Sequence, residues 1–598
     1  METPPKKAYQ YDDLPAGGYI RTLHLLPGSD NHSLHCTLRT TLMSDAHYEA
    51  VSYVWGSDIR DHNIFCDGLS IPITSNLWTV LRHLRSETTR ILWADSICID
   101  QDNLKEKGIQ VGLMGQIYRS ALRVLIVVGD DDLGVGEDVH SLVTEIGTMV
   151  RETLQTHGTA EDSFPWPKEN APIVSDPRWG SFNLLLSRDW FRRGWVIQEA
   201  ALAKESWLIF GKTKLHWVDF ILTCTWQMLR FPVPNNLLDR IAMHFTLYTH
   251  YNPDVLRAFR PGQVRQSHLS MLAGANLLDF SDPRDRIFAF GEVAKDFSDH
   301  VLVQPAYDVS FLLAYRQFAV DYIHHVKSVE LLEYAGHMGT SLEEEIPSWV
   351  PRWDLKIPSP GFTRALYAAP LASRDGSIYN ASVEEQYYLK VRGVLLDTVV
   401  YASRLIWKTG QDIVDLSINL LKYLQNLETK TAYPREKLVD VLLENFTSGI
   451  FFGPWSRFRR DREAFALHLL QSTGHTDEDD LAQRRISATG GHPEAMVKCI
   501  SNVISGMAFV LTKQGHMGLV PDVTREGDTC AIIFGCTRLS ILRQAGGGGQ
   551  YRYLGVATIM GSEYYKGDDG GDEFPILGEE GHKEWVDWDV DEQDIVLC

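Results

Sequence analysis

Residues 123–128 read Arg-Val-Leu-Ile-Val-Val, a run that is apolar and mostly β-branched after its first residue. Such a run is typical of a strand buried on both faces, as the strands of parallel sheets are. Shorter apolar runs occupy residues 49–54, 90–93 and 207–210. We therefore expect four strands of one parallel sheet in this part of the chain.

The segments between these runs carry apolar residues at helical spacing. Helices are predicted over residues 76–84, 107–121 and 190–203. The second of these helices would bury one apolar face, formed by Ile109, Leu113, Ile117 and Ala121. Strands that alternate with helices indicate an α/β fold, here a parallel sheet flanked by helices.

Extended segments and a hairpin are expected beside this sheet. Residues 20–26 and 34–42 predict N-terminal strands within a segment 1–47. Residues 64–73 predict a β-hairpin, because Asp67-Gly68 supplies the positive φ angles of a tight turn. Pro72 lacks an amide hydrogen, so the second strand of the hairpin is expected at a sheet edge.

The rest of the chain has a different character. An insert at 129–187 is expected to hold one helix near 140–155. Residues 213–500 predict a mostly helical region, and residues 501–565 predict a small β region with glycine-rich turns. Residues 566–598 are acidic, and we expect an exposed tail there.

Charge and composition exclude several classes of protein. The 57 lysines and arginines against 78 aspartates and glutamates give a net charge of −21, which is unfavourable for binding nucleic acid or anionic membranes. No run of about 18 apolar residues and no apolar leader is present, so neither a membrane span nor a secretory signal is expected. The 8 cysteines show no CxxC pair or zinc spacing, which favours reduced thiols in a cytoplasmic protein.

Ligands of an open parallel sheet bind outside the carboxyl ends of its strands. Candidate ligand-binding residues after the first two predicted strands are Ser52, Tyr53, Trp55, Gly56, Asp95, Asp100 and Gln101. The fourth strand–helix unit adds Arg193, Trp195 and Glu199. Aromatic rings for stacking, arginines for phosphates, and carboxylates for ribose hydroxyls or a developing cation suit a sugar-nucleotide ligand.

Each candidate also has a purely structural interpretation. The tryptophans can be core residues, and Asp95 and Asp100 can cap a helix or fix a turn. Arg193 can form a local salt bridge, and Glu199 can lie solvated on a helix face. The spacing of these residues is not by itself a catalytic signature.

Four segments, in this order along the chain, carry a resemblance to a known family. They are Tyr48–Gly56, Leu92–Gln101 with Gln110, Met114 and Ile117-Tyr118 following, Trp190–Glu199, and Asp282–Gly291. Together they resemble the fungal heterokaryon-incompatibility (HET) family. The resemblance implies a HET domain over 48–212, a regulatory region after it, and a role in self/non-self recognition that leads to regulated cell death.

A more distant resemblance concerns mechanism. The order of strand ends, helices, tryptophan and glutamate is similar to that of Toll/interleukin-1 receptor (TIR) domains. Enzymatic TIR domains cleave NAD at the nicotinamide–ribose bond with a glutamate, which by motif position is Glu199, with Trp195 ahead of it. The resemblance implies NAD as substrate, with no cofactor and no metal. The hairpin at 64–73 and the insert at 129–187 depart from it.

Two classes of function are compatible with these observations. One is an NAD glycohydrolase that uses Glu199, and the other is a non-catalytic signalling module that acts by self-association or by binding a protein partner. The environment of Glu199 discriminates between them. A cleft beside Ser52, Trp55 and Asp95 favours the enzyme, whereas the outer surface or a buried salt bridge favours the module.

Overall fold

The computed structural model forms two compact units, Met1–Phe311 and Leu312–Cys598. Each unit has its own sheet and core and is described separately. The residues that the structure describes are 8–29, 32–157, 171–230, 241, 243–245, 267–294, 304–337, 339, 346–355, 371–374, 376–427, 431–448, 455–546, 549–563, 565–566, 572–573, 576–577 and 584–598.

The first unit is built on a nine-stranded sheet with the order β5-β4-β2-β1-β6-β3-β7-β8-β9. Its strands are β1 (Tyr19–Leu25), β2 (Leu34–Leu42), β3 (Glu49–Tyr53), β4 (His62–Cys66), β5 (Leu69–Ile73), β6 (Arg90–Trp93), β7 (Val124–Val127), β8 (Ser206–Phe210) and β9 (Thr213–His216). All four predicted apolar runs form strands, namely β3, β6, β7 and β8.

The predicted parallel arrangement is confirmed for these four strands. They lie side by side as β6-β3-β7-β8 and pair in parallel. Numbered along the chain, their spatial order is second, first, third, fourth. This is the order of doubly wound sheets whose ligands bind where the direction of winding reverses, between the first and third strands.

The outer strands make the sheet mixed rather than wholly parallel. β1 pairs antiparallel with both β2 and β6, so the N-terminal strands extend the central sheet. The predicted hairpin is confirmed, since β4 and β5 pair antiparallel around Asp67 and Gly68, whose φ angles are 51° and 83°. β5, which contains Pro72, is the edge strand that the sequence predicted.

Among the described residues, the helices of the first unit are α1 (Ser75–Leu84), α2 (Asp95–Cys98), α3 (Leu104–Ser120), α4 (Gly136–His157), α5 (Arg178–Leu186), α6 (Val196–Ala201), α7 (Trp217–Arg230), α8 (His268–Gly274), α9 (Asp285–Phe288) and α10 (Gly291–Ala294). α4 contains the helix predicted near 140–155, and α5 was not predicted. Residues 158–170 of the predicted insert lie outside the described residues.

The predicted buried face of α3 is wrong in part. Ile109 is 56% exposed, whereas the polar side chains of Glu106 and Gln110 are buried. Glu106 is tolerated there because its carboxylate forms an ion pair with Arg21 of β1, with an N–O distance of 2.5 Å. The apolar periodicity could not show this pairing, because Arg21 lies far away in the sequence.

The second unit contains a closed barrel and a helical insertion. Its strands are β10 (Ala381–Glu384), β11 (Tyr388–Arg404), β12 (Met507–Thr512), β13 (Met517–Pro521), β14 (Thr529–Ile533), β15 (Leu539–Ala545), β16 (Gln550–Ile559), β17 (Tyr565–Lys566), β18 (Asp572–Glu573) and β19 (Glu592–Leu597). Its helices are α11 (Phe311–Val326), α12 (Gly410–Gln425), α13 (Leu438–Thr447), α14 (Trp455–Ser472), α15 (Glu478–Ser487) and α16 (Pro493–Ile504).

β11 closes the barrel because one part of it pairs with β14 and another with β12. The circuit β11-β12-β13-β16-β15-β14 returns to β11 through antiparallel pairs. Helices α12–α16 lie between β11 and β12 in the sequence and pack on an apolar core that they share with residues of β12 and β13. β10 and β11 fall in the region predicted to be mostly helical, so the small β region begins earlier than the sequence indicated.

The C-terminal segment differs from the exposed tail that its acidity predicted. β19 pairs antiparallel with β11, and both Ile595 and Leu597 are buried. Glu592 and Asp594 lie on one face of this strand, and Ile595 and Leu597 lie on the other. Trp585, ahead of the strand, is also buried.

We predict that Ile595→Ala destabilises the second unit by about 2–5 kcal/mol, because it removes a fully buried side chain and leaves a cavity. Gln593→Ala, on the same strand but exposed, is the matched control and should change stability by less than about 0.5 kcal/mol. Thermal unfolding of both variants measures the difference. Equal melting temperatures would show that β19 does not contribute to the barrel.

Candidate functional site

Ser52 and Tyr53 form the end of β3, and both side chains are buried. The Ser52 hydroxyl accepts a hydrogen bond of 2.9 Å from the Trp190 indole nitrogen. The Tyr53 hydroxyl shares a hydrogen bond of 2.6 Å with the hydroxyl of Ser96. These bonds connect the end of the first parallel strand to the segment after β6 and to the segment before α6.

Asp95 begins α2, directly after β6, and is buried. Its Oδ2 atom accepts a hydrogen bond of 2.8 Å from the Trp55 indole, and its Oδ1 atom accepts one of 2.8 Å from the Ser96 amide. Burial raises the pKa of Asp95, while the guanidinium of Arg193 and these hydrogen bonds act to lower it. Asp95 therefore fixes its own turn and also holds Trp55 beside the strand ends.

The helix predicted over 190–203 is interrupted in the structure. Residues Asp189–Arg192 form a 3₁₀ turn, and α6 begins only at Val196. Arg193 has extended backbone because it forms a β-bridge with Asp279. This interruption places the Arg193 guanidinium against the end of β3, where it donates a hydrogen bond to the Tyr53 carbonyl.

Glu199 lies on α6 and is only 2% exposed. Burial raises the pKa of its carboxyl from 4.5 to about 7; the charge of Asp95 adds to this, and the guanidinium of Arg193 and the hydroxyls of Ser52 and Tyr118 oppose it. Within the part of the chain that the structure describes, its Oε2 atom has no hydrogen-bond partner. A carboxyl group with a pKa near neutrality can take up and release a proton at physiological pH.

The Glu199 cluster, which we define as Ser52, Asp95, Tyr118, Arg193 and Glu199, thus holds two carboxyl groups and one guanidinium. It lies at the carboxyl ends of β3 and β6, beside Trp55, where sequence analysis placed the ligand site. Glu199 is neither on the outer surface nor in a salt bridge with a described residue. Its burial also means that the cluster is enclosed in this conformation.

Four of the predicted residues have other roles. Gly56 is exposed, with a φ of 74°. The Asp100 carboxylate accepts a bond from the Asp102 amide, and the Gln101 side chain donates to the Asp95 carbonyl, so both organise the turn after α2. Trp195 directs its indole nitrogen to Asp285, at 2.9 Å.

Sequence reasoning missed two members of the site. Tyr118 of α3 and Trp190 are buried against the strand ends, and both are among the residues that carry the family resemblance. Their position in those segments was the available signal. Helical spacing alone could not distinguish Tyr118 from the apolar core residues around it.

The described residues contain no group of three or more His, Cys, Asp or Glu side chains that could hold a metal ion. Nor does any helix in the described ranges combine the length and the apolar composition required to cross a bilayer.

Comparison with known proteins agrees with the resemblance drawn from the four segments. Residues 48–199 match the family "Heterokaryon incompatibility protein (HET)". The chain is also 25% identical, over 92% of its own length and 93% of the relative's, to heterokaryon incompatibility protein 6, OR allele, of Neurospora crassa. No solved structure matched the chain. The predicted resemblance to HET proteins is thereby supported, and the family match begins at Tyr48 and ends at Glu199. The TIR resemblance stays a prediction.

The buried position of Glu199 predicts a pH-dependent effect of Glu199→Gln on stability. Because the carboxyl pKa is higher in the folded chain, at about 7, than its ordinary 4.5, folding is favoured by protonation. The contribution of Glu199 to stability is full below pH 4.5, falls as the pH rises to about 7, and is constant above it. The variant should therefore gain on the order of 3 kcal/mol relative to the parent between pH 4.5 and pH 8.

Melting temperatures of the parent and the variant across this pH range measure the effect. Glu152→Gln, an exposed position on α4, is the control for the substitution itself. A parent-minus-variant difference that is constant with pH would contradict the raised pKa of Glu199.

Proposed function

We propose that this chain acts in heterokaryon incompatibility, as a self/non-self recognition protein that triggers regulated cell death in a filamentous fungus, and that its Glu199 cluster cleaves NAD. Two observations support the first part, the HET match over 48–199 and the similarity to the Neurospora crassa protein along nearly the whole chain. A cytoplasmic location and activation by a protein partner or by self-association belong to the same proposal.

The observation that carries the second part is the environment of Glu199, a carboxyl group buried beside Asp95 and Arg193 at the strand ends. NAD hydrolysis breaks the bond between the ribose C1′ atom and the nicotinamide nitrogen, whose electron pair leaves with the neutral base. Water then adds to C1′ and releases a proton. The transition state has oxocarbenium character, which a preorganised carboxylate stabilises.

The residues of the site fit the nicotinamide-ribose half of such a substrate. The ionised form of Glu199 would stabilise the developing cation. Asp95 would accept hydrogen bonds from the ribose hydroxyls, and Arg193 would bind a phosphate group. The indole of Trp55 would stack against a ring of the substrate. No step of this reaction requires a metal or a bound cofactor, and the TIR resemblance implies the same.

A second candidate, the non-catalytic signalling module, is favoured by one observation. Glu199 is only 2% exposed, so the cluster is enclosed in this conformation. An enzyme would have to open this cluster to admit NAD. A module would instead use the cluster to set the conformation that it presents to a partner or to a second copy.

We predict that purified protein releases nicotinamide from NAD and that Glu199→Gln lowers kcat by about 100-fold or more, because one preorganised electrostatic group is worth about 3 kcal/mol in the transition state. The parent rate should rise with pH to a plateau above about 7, as Glu199 ionises. Free nicotinamide is measured by chromatography, with Glu152→Gln as the control. A folded parent with no release under any condition that permits cell killing would refute the NAD proposal.

Cell killing separates the two candidates. We predict that the parent chain, introduced into an incompatible fungal strain, lowers heterokaryon survival and that Glu199→Gln restores survival at equal protein level. Counting viable hyphal compartments after fusion measures this. Undiminished killing by a stably folded Glu199→Gln protein would shift the proposal to the non-catalytic module, and loss of killing without any NAD cleavage by the parent would do the same.

A further inference from the structure

The loop that carries Arg193 is held by a distant part of the first unit rather than by its own helix. The Gly194 amide donates to the Asp279 carbonyl at 3.0 Å, and the Asp279 amide donates to the Arg192 carbonyl at 2.6 Å. These bonds form a short parallel bridge. The conformation of the loop before α6 therefore depends on the segment that begins at Asp279.

Gly194 is required by the closeness of this contact. A Cβ atom on Gly194 would lie 1.8 Å from the Phe280 ring, so any side chain would displace the segment. The segment then continues into Asp282–Gly291, the last of the four segments that carry the family resemblance. It lies outside residues 48–199, the range of the HET match.

Asp285, in this segment, bridges two side chains with its two oxygen atoms. Oδ2 accepts a hydrogen bond of 2.9 Å from the indole nitrogen of Trp195, and Oδ1 accepts one of 2.7 Å from the hydroxyl of Tyr307. Both oxygens act as acceptors, so the ionised carboxylate satisfies both donors at once. Trp195 immediately precedes α6 and lies one helical turn before Glu199, whose amide donates to the Trp195 carbonyl.

Tyr307 is itself fixed against α3. Its ring contacts two cations, with Lys107 Nζ at 4.8 Å and Arg284 Cζ at 5.1 Å from the ring centre. Pro305 packs on the same helix, where a Cβ atom on Gly108 would lie 2.9 Å from the Pro305 carbonyl oxygen. Asp285 therefore connects α6, through Trp195, with α3, which also carries Tyr118 of the Glu199 cluster.

We propose that Asp285 is a positioning residue of the Glu199 cluster: through Trp195 it fixes the start of α6, and thereby the places of Arg193 and Glu199 relative to the strand ends. The proposal deepens the proposed NAD cleavage and rests on it for its kinetic consequences. Its structural consequence, the placement of Glu199 in its buried environment, stands independently of any activity. It also means that the working site extends beyond the predicted 48–212 domain.

The test is Asp285→Asn in the full chain. An amide keeps one oxygen for the Trp195 indole and can only donate to the Tyr307 hydroxyl through its NH₂ group, so the variant loses the negative charge that strengthens both hydrogen bonds. We expect kcat for nicotinamide release to fall 10- to 100-fold with KM changed less than threefold, since small displacements of reacting groups cost rate rather than binding. Asp13→Asn is the matched control, because its side chain is exposed and it lies outside the segments that hold the loop before α6.

A second readout does not depend on activity. It compares the melting temperatures of a protein with Glu199 and of its Glu199→Gln variant at a series of pH values. The difference stops changing near the pKa of folded Glu199, about 7 in the parent, and we call this pH the upper midpoint. In the Asp285→Asn background this midpoint should move towards 4.5. With Trp195→Phe already present, Asp285→Asn should move it no further, because the indole donor through which Asp285 acts is gone.

The outcomes separate the two proposals. An unchanged midpoint and unchanged kcat in Asp285→Asn would overturn the positioning role. A shifted midpoint in a protein that cleaves no NAD would support the positioning role and refute the NAD chemistry. If Asp285→Asn does not fold, Tyr307→Phe, which removes only the hydroxyl that orients Asp285, should give a smaller shift of the same sign, and no shift there would also overturn the role.

Discussion

The first unit must bury two carboxyl groups, those of Asp95 and Glu199, beside the single guanidinium of Arg193, and the arrangement of the strand ends depends on this constraint. An ionised carboxylate is costly to bury unless charges and hydrogen bonds compensate for its lost hydration. Asp95 receives that compensation from the Trp55 indole and the Ser96 amide. Glu199 receives it from the hydroxyls of Ser52 and Tyr118, and burial still raises the pKa of both carboxyl groups. The structure around the strand ends is largely an arrangement of donors and neighbours that makes this burial tolerable.

The chain topology brings these groups together. The doubly wound order places β3 between β6 and β7, so that Ser52 and Asp95 end neighbouring strands. The sheet alone does not place Glu199 or Arg193, which come from the broken helix before β8. The break is fixed by backbone pairing with Asp279 and by the close contact of Gly194 with Phe280. Tertiary contacts therefore override the helical pattern of residues 190–203.

Sequence analysis recovered what local patterns encode. Apolar runs located the four parallel strands, Asp67-Gly68 located the hairpin, and the carboxyl-end rule brought Ser52, Asp95, Arg193 and Glu199 into one candidate set. It could not locate features that depend on distant partners. The ion pair of Glu106 with Arg21, the docking of β19 on β11, and the turn of Trp195 towards Asp285 each join residues far apart in the sequence. The residues of the candidate site could thus be predicted from the sequence, but the tertiary contacts that hold them in place could not.

The loss of stability that burial of the Glu199 carboxyl group causes indicates its role. A residue selected only for packing would be replaced at such a position by an apolar or amide side chain, because an uncompensated buried carboxyl group lowers stability above its ordinary pKa. Structural ion pairs also shift pKa values, but within the described residues Glu199 forms no such pair. Buried carboxyl groups with a raised pKa are found mainly where a charge or a proton must be presented to a ligand or must change a conformation. Both candidate functions, NAD cleavage and signalling, place the active event at this carboxyl group.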